Sequence, residues 1–412
     1  MDQHVLTWAK EGNARVPYRV FADPLVYKAE LDRIFLGASW QFLVLANELP
    51  NPGDYKTNFL GETPVIVARG EDGQIHAMVN RCAHRGNLVC LKAKGHTNDG
   101  LTCVYHSWRY DLAGNLQSVA FRRGVAGKGG MPDDFRLADH GLKKLRTSEF
   151  AGLVFGTLSS DAPPLSEYLG NQIGSHIARV FRGTPKVIGT TSQILHNNWK
   201  LYVENVKDTY HASLLHTFFT TFRVSRLTNP GGVAVAESGA HHFSYTYGGR
   251  PIDQAASDAA YAGIQSMRDN IRLEDPRFLD TVDEIGDGIT IQILSVFPNF
   301  VLQQINNSLA LRLVLPRGPD ETELVWTYFG FEEDDAAMTE RRLQQANLVG
   351  PAGYVSMEDG AVGGFVQRAI KGGEEECSVL EMGGHEHASQ DTRTTEASIR
   401  GFWNAYRGLM GL

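Results

Sequence analysis

Cysteine is scarce, with four residues in 412. That is too few for a disulfide framework in a chain this long, and it points to a reduced, cytoplasmic setting. Long apolar runs are missing as well. No stretch approaches membrane-spanning length, and residues 1–20 lack the apolar core of a signal peptide, so no membrane partner is expected. An excess of basic charge is absent too. The 39 Lys and Arg face 47 Asp and Glu, a net charge of −8, and no basic run stands out, which argues against a nucleic-acid partner. No internal repeat, low-complexity tract or coiled-coil heptad occurs. What remains, 42% hydrophobic and 21% charged residues, is an ordinary globular composition. At this length two domains are expected.

Two of the four cysteines sit in a short, chemically dense stretch. Cys82-Ala-His84 and Cys103-Val-Tyr-His106 are separated by eighteen residues, and each half supplies one thiol and one imidazole. Two Cys and two His suit either a tetrahedral zinc or a Rieske [2Fe–2S] centre, in which two His replace two Cys on one iron. The order favours the second. Structural zinc sites usually place like ligands together, whereas here each arm is mixed. One iron could take Cys82 and Cys103 while the other takes His84 and His106. Gly95 and Gly100 allow tight turns between the arms.

The surroundings read as short strands and turns. Strand-like runs at 40–45, 54–59, 63–69 and 74–79 are separated by Asn51-Pro52-Gly53, Gly61-Glu62 and Glu71-Asp72-Gly73. A small antiparallel β domain over 40–159 is expected, ending near the Pro163-Pro164 boundary. Before it, Leu25–Phe35 carries a 3.6-residue stripe and reads as one amphipathic helix. After it, strand runs at 186–195, 290–297, 300–304, 308–315 and 323–329 imply one antiparallel sheet, with helices at 197–215, 337–349 and 393–409. The expected fold class is α+β. An antiparallel β domain near the N-terminus precedes a catalytic domain (1–39 and 160–412) with a central antiparallel sheet covered by helices.

The helical stretch 197–215 is the second dense region. Asp208 and His211 are three apart and share a helix face, but His216 is five beyond His211, so the helix must bend or stop if both are to reach one ion. Two His with one carboxylate form the facial triad of non-haem Fe(II) oxygenases. The carboxylate could be local, Asp208 or Glu204, or distant, Glu358 or Asp359 in Ser356-Met-Glu-Asp-Gly360. Ordinary helix histidines are the bland alternative. Arg312, embedded in the apolar run Leu309–Leu315, is expected to be buried and to need an anion, either an internal acid or a substrate carboxylate. His241-His242 read as pocket lining or surface. Glu374-Glu-Glu376 reads as a solvated charge run, and Gly383-Gly384 with His385 and His387 as a loop.

Taken together, the mixed Cys/His arms, Asn198-Trp-Lys, Glu204-Asn-x-x-Asp208-x-Tyr-His211-x4-His216 and Met357-Glu-Asp-Gly360 resemble the large (alpha) subunit of a Rieske non-haem iron aromatic-ring-hydroxylating oxygenase. The resemblance spans nearly the whole chain. It is strongest to the branch acting on benzoate-like acids: terephthalate-dihydroxylating members first, salicylate- and anthranilate-hydroxylating members as the alternative.

The resemblance implies a Rieske [2Fe–2S] cluster on Cys82, His84, Cys103 and His106, and a mononuclear Fe(II) on His211, His216 and Asp359. It implies that Asp208 bridges a cluster histidine of one subunit to an iron-ligating histidine of the next. It also implies electrons from NAD(P)H through a separate reductase, O2 and an aromatic carboxylate as substrates, a small beta subunit, and an alpha3 or alpha3beta3 assembly. Arg312 and Arg393 are the expected substrate-carboxylate contacts, with ring contacts from 218–222 and 295–303.

Overall fold

The computed structural model describes residues 6–268 and 270–412; residues 1–5, at the head of the N-terminal lead, and residue 269 fall outside it. The chain divides into two compact units. The smaller is Phe35–Tyr168; the larger combines the chain up to Ile34 with Leu169–Leu412. Turn signals in the sequence put the edges of the smaller unit at 40 and 159.

The smaller unit is antiparallel β throughout. One sheet joins Arg146–Phe150, Leu153–Thr157 and Gln41–Leu45; another orders Ile75–Val79, Thr63–Arg69, Asp54–Leu60 and Lys94–His96. A third, of very short strands, joins Leu101–Thr102, Arg109–Tyr110 and Leu116–Ser118. The strand Thr63–Arg69 explains how the unit holds together. Its four consecutive buried residues alternate between faces, so Val65 and Val67 enter one core with Leu43, Leu60 and Val154. Ile66 and Ala68 enter another, with Cys82, Cys103, Trp108 and Tyr110. The cysteine arms are therefore fastened to a strand buried on both faces.

The larger unit is organised by a seven-stranded antiparallel sheet. Along the chain its strands are β1 (Pro185–Leu195), β2 (Gly231–Val235), β3 (His242–Tyr247), β4 (Ile289–Val296), β5 (Phe300–Ile305), β6 (Ser308–Pro316) and β7 (Thr322–Phe331). Their order across the sheet is β1-β7-β6-β5-β4-β3-β2. The five expected strand runs are all present; β2 and β3 add to them. All nine residues of β6 are buried, as befits an inner strand covered on both faces. Registers place His242, Ser295, Val301, Arg312 and Trp326 in one cross-strand row, and Thr246, Ile291 and Ile305 in another. The adjacent histidines on this sheet are not at the surface: His241 and His242 are buried, the first accepting from the Phe297 N–H and the second bonded to Ser295.

Local chemistry reshapes three of the expected helices. The stretch 197–215 is not one helix. Asn198 caps Trp199–Lys207 by accepting from the Lys200 N–H at 3.1 Å. The helix ends at Asp208, whose Oδ1 takes the N–H groups of Tyr210 at 2.8 Å and His211 at 3.2 Å. An aspartate that offers the backbone this alternative breaks the i→i−4 ladder. A short turn of helix, Ala212–Leu215, follows, and His216 is extended again before Thr217–Thr221.

The N-terminal helix runs only over Pro24–Glu30, capped by Asp23, and gives way to a π-turn at Leu31–Phe35. The last helix is Ala397–Met410 rather than 393–409. Thr395 Oγ1 accepts from the Ala397 N–H at 3.1 Å, leaving Arg393 on the preceding segment. The helix Ala336–Val349 lies where expected.

A helix at Tyr354–Ala369 has no strong pattern in sequence. Its glycines each cost about 1 kcal/mol relative to alanine, and close packing explains them. A Cβ on Gly360 would lie 2.9 Å from both Gln193 Nε2 and Leu195 Cδ2, and one on Gly363 2.1 Å from Asn197 Nδ2. The helix lies against the end of β1, and glycine lets it approach.

Candidate metal centres and their cavity

In the smaller unit the two cysteine arms fold into matching loops. Gly86 N–H donates to the Cys82 carbonyl and Ser107 N–H to that of Cys103, each at 2.9 Å. Each loop then closes again, Cys82 N–H on Asn87 O at 2.8 Å and Cys103 N–H on Trp108 O at 2.9 Å. Gly86 (φ 76°) and Ser107 (φ 53°) hold the left-handed conformation these loops need. For serine that costs on the order of 1 kcal/mol, a strain typical of built sites.

The result is asymmetric in depth. Both thiols are buried, His84 is exposed and His106 is half-buried. The rings of His84 and His106 lie 4.6 Å apart, and His84 stacks on Trp108 at 5.0 Å. Burial pushes the Cys82 thiol up, and the neighbouring Cys103 sulfur adds to it, so Cys82 resists ionising without a cation. His106 Nδ1 is shut away from solvent with no hydrogen-bond partner. Two thiols below, two imidazoles above and one imidazole nitrogen left unpaired suit a cluster with a cysteine-held and a histidine-held iron. Tyr110, which no motif in the sequence singled out, belongs here. Its hydroxyl accepts from Ala83 N–H at 3.1 Å and lies 3.2 Å from Cys82 Sγ, leaving its proton for the sulfur.

In the larger unit, His211, His216 and Asp359 converge, with one donor atom from each within 4.8 Å of the others. Asp359 Oδ1 is 3.3 Å from His211 Nε2 and 3.3 Å from His216 Nε2. The opposite nitrogens face other carboxylates: His216 Nδ1 bonds to Glu358 Oε2 at 2.7 Å, and His211 Nδ1 lies 3.2 Å from Asp208 Oδ2. Four acids in the sequence could serve these histidines, and geometry sorts them. Asp359 stands in front of both rings, Glu358 and Asp208 behind one each. Glu204 turns away, its Oε1 accepting from Trp403 Nε1 at 2.6 Å. A carboxylate behind an imidazole fixes its tautomer and leaves Nε2 to bind. The break at Asp208 and the extended His216 supply the bend that brings both rings to one point.

Electrostatics match a cation site. Burial works against charge on His211, but Asp208 and then Asp359 outweigh it and raise the ring to about 10. Burial likewise opposes the Asp359 carboxylate, and hydrogen bonds from His211 and His216 hold it well below the usual range. The site thus favours positive charge between these groups, and the buried donor set fits a two-His, one-carboxylate metal. Asn205 was not singled out in sequence. Its Nδ2 donates to Asp359 Oδ1 at 3.1 Å and fixes the carboxylate.

The three donors open into a cavity with about 80 Å³ accessible to the centres of water molecules. Phe219, Ile291, Ile293 and Ile305 form its apolar walls, and Arg312 and Arg393 both line it. Phe219 falls in the expected 218–222 stretch; 295–303 contributes no lining residue, because the cavity lies farther along β4 and β5, at Ile291, Ile293 and Ile305. Both arginines are buried. Arg312 donates to Tyr202 Oη at 3.0 Å and to Gln303 Oε1, and stacks on Trp326 at 4.5 Å. Arg393 donates to Ser225 Oγ at 2.9 Å and to the carbonyls of Arg226 and Asn229, and burial pulls it down to about 10. None of these partners is acidic, and among the described residues the internal ion pair that could have explained Arg312 does not occur. Nε of each guanidinium has no partner.

A strained two-armed cysteine–histidine site in a β unit and a buried two-His, one-carboxylate site in a sheet-based unit define a Rieske-type oxygenase. Residues 39–127 match the Rieske [2Fe-2S] domain family, and residues 183–411 match the ring hydroxylating alpha subunit (catalytic domain) family. The chain belongs to the ring-hydroxylating oxygenase alpha subunits, enzymes that carry a Rieske cluster and a mononuclear iron.

Among its relatives, the chain is 51% identical to the terephthalate 1,2-dioxygenase terminal oxygenase component subunit alpha 2 of Comamonas sp., covering 100% of this chain and 99% of that one. It is 45% identical to the anthranilate 1,2-dioxygenase large subunit of Burkholderia cepacia, over 97% and 94% of the two chains. It is 40% identical to the salicylate 5-hydroxylase large oxygenase component of Ralstonia sp., over 98% and 96%. In fold it matches naphthalene 1,2-dioxygenase from Rhodococcus sp. bound to indole, with a TM-score of 0.79 at 23% identity over 96% and 94% of the chains. Among the described residues, no helix is long and apolar enough to cross a membrane.

Proposed function

We propose that this chain is the oxygenase alpha subunit of a terephthalate 1,2-dioxygenase. The observation that carries the reading is the pair of buried guanidiniums, Arg312 and Arg393, that line the metal-site cavity and, among the described residues, form no ion pair with an acid. A buried cation without an anion is costly, and an incoming carboxylate relieves that cost. Two such cations suit a ring with two carboxylates, each held through charge-assisted hydrogen bonds. The isoleucine walls and Phe219 take the flat apolar ring between them. A monocarboxylate such as salicylate or anthranilate would leave one guanidinium unanswered.

In this reading Cys82, His84, Cys103 and His106 hold the [2Fe–2S] cluster, and His211, His216 and Asp359 hold the mononuclear Fe(II). When bound, these groups supply the electrons and the O2 activation by which both oxygen atoms add in cis to the ring. The chain's own residues do the rest. Glu358 and Asp208 hold the histidine tautomers, Asn205 holds Asp359, and the arginines orient the ring and exclude other acids. Asp208 further serves as the bridge to a cluster histidine of a neighbouring subunit, within an alpha3 or alpha3beta3 assembly containing a small beta subunit. A separate NAD(P)H reductase delivers the electrons, and the enzyme works in the cytoplasm.

Single-turnover product analysis of the reduced protein with terephthalate, salicylate and anthranilate tests this. The expected product is a cis-dihydrodiol of terephthalate; hydroxylation of salicylate or anthranilate in its place would keep the chemistry and overturn the substrate.

A further inference from the structure

The broken stretch between Trp199–Lys207 and Ala212–Leu215 is fastened to the segment carrying Arg393 at two points. Ser398 Oγ donates to the Lys207 carbonyl at 2.6 Å, and Thr209 Oγ1 donates to the Arg393 carbonyl at 2.6 Å. Between the fasteners lies Asp208, with Oδ2 3.2 Å from His211 Nδ1. The Arg393 guanidinium is separately held by Ser225 and by the carbonyls of Arg226 and Asn229. One short path therefore joins a cavity cation to a candidate metal ligand. It runs from the Arg393 carbonyl to the Thr209 hydroxyl, through one peptide to Asp208, and on to His211. Thr209 is itself buried and lines the cavity, and its only other acceptor among the described residues is the Thr395 carbonyl at 3.5 Å. Valine would keep its shape and volume but remove the donor.

We propose that Thr209 is a positioning residue whose hydroxyl sets the reach between the carboxylate-binding Arg393 and the metal-binding His211. It thereby sets which ring carbons of the substrate lie over the metal. The inference rests on reading Arg393 as a carboxylate anchor. A carboxylate held far from the reacting carbons helps only if that reach is kept to within about an ångström.

The test compares Thr209→Val and Thr209→Ser with the unmodified holoenzyme. Calorimetry on the resting, unreduced protein gives terephthalate affinity. Turnover with its reductase gives product formed per O2 consumed at saturating terephthalate. Thr209→Val is expected to bind terephthalate about fivefold more weakly, the size of one lost hydrogen bond. Its product per O2 should fall at least about twofold, and Thr209→Ser should restore both. If the valine variant does not fold, Thr209→Ala takes its place. A folded variant without the hydroxyl but with unchanged affinity and unchanged product per O2 overturns the proposal. So does a serine variant no better than valine, which would give the role to the γ-methyl group. Failure of the unmodified enzyme to bind terephthalate would instead remove the dicarboxylate reading itself.

Discussion

In the smaller unit all four candidate cluster ligands come from Cys82–His106, and two loops closed by the same backbone hydrogen bonds present them. In the larger unit His211 and His216 come from a broken helix, while Asp359 arrives on another helix, 154 residues beyond the Asn205 that holds it. The first site is a local construction whose strain sits in Ser107. The second is an assembly that exists only because a sheet and three helical segments pack together. One consequence is chemical. A local site depends on its ligands and the nearest turn; an assembled one depends also on the side chains behind the ligands and on whatever fastens the elements to each other.

The largest effects should separate the two sites outright. Cys103→Ser should abolish the [2Fe–2S] absorption and oxygenation while leaving the mononuclear metal in place. Asp359→Ala should do the reverse, losing that metal with the cluster spectrum intact. Both losses should exceed the ~10–100-fold typical of losing a partner behind a ligand. Metal analysis and visible spectroscopy decide it, and a single variant that strips both metals would end the picture of two independent sites.

Next in size are the supporting carboxylates, which only the assembled site has. Glu358→Gln should weaken metal binding or activity by about 10–100-fold, read by metal titration. Asp208→Asn should keep both metals but slow cluster-to-iron electron transfer, followed by stopped-flow oxidation of the reduced cluster. Loss of iron from that variant would make Asp208 a ligand.

Smaller again are the arginines. Arg312→Leu or Arg393→Leu should each remove ~1.5–3 kcal/mol of terephthalate binding, as expected for a hydrogen bond to a charged group. Calorimetric affinities check this, and unchanged binding in both would dissolve the carboxylate clamp.

The gentlest effect lies in the pH dependence of stability. Burial, with Asp208 adding to it, raises Glu204 from 4.5 to about 8, so between those values the native state holds a proton the unfolded chain has released. Stability therefore falls as pH rises through that window, and Glu204→Gln should flatten the fall. On the same helix, burial lowers Lys207 from 10.5 to about 7. There the unfolded chain holds the extra proton, stability rises with pH across the window, and Lys207→Met should remove the rise. Melting temperatures measured from pH 5 to pH 10 distinguish the two slopes.

Much of the architecture was legible in sequence because its signals are local. Strand-like runs marked five strands of the large sheet and four strands of the smaller unit. The spacing of His211 and His216 called for a bend or stop in the helix if both were to reach one ion. β2 and β3 were missed: Gly231-Gly232 weakens the first, and His241-His242 masks the second, since burial in a packed sheet cannot be read from two polar letters. Tyr354–Ala369 escaped because its glycines look like loop residues until β1 is seen pressing against them. The expected ring contacts over 295–303 gave way to Ile291, Ile293 and Ile305, since position along β4 and β5 decides which of the residues sharing a face reach the cavity.

By itself the sequence determined what depends on neighbours along the chain: the turns that close the cluster arms, the aspartate that breaks a helix, the runs of strand, and the family to which they belong. Tertiary structure alone decided how Asp359 stands before both histidine Nε2 atoms, which residues wall the cavity, and that, among the described residues, neither Arg312 nor Arg393 pairs with an acid. The reason is physical. Backbone propensity and capping act over a few residues, whereas a carboxylate's distance to an imidazole or a guanidinium's lack of an anion is set by the packing of elements that the chain separates widely.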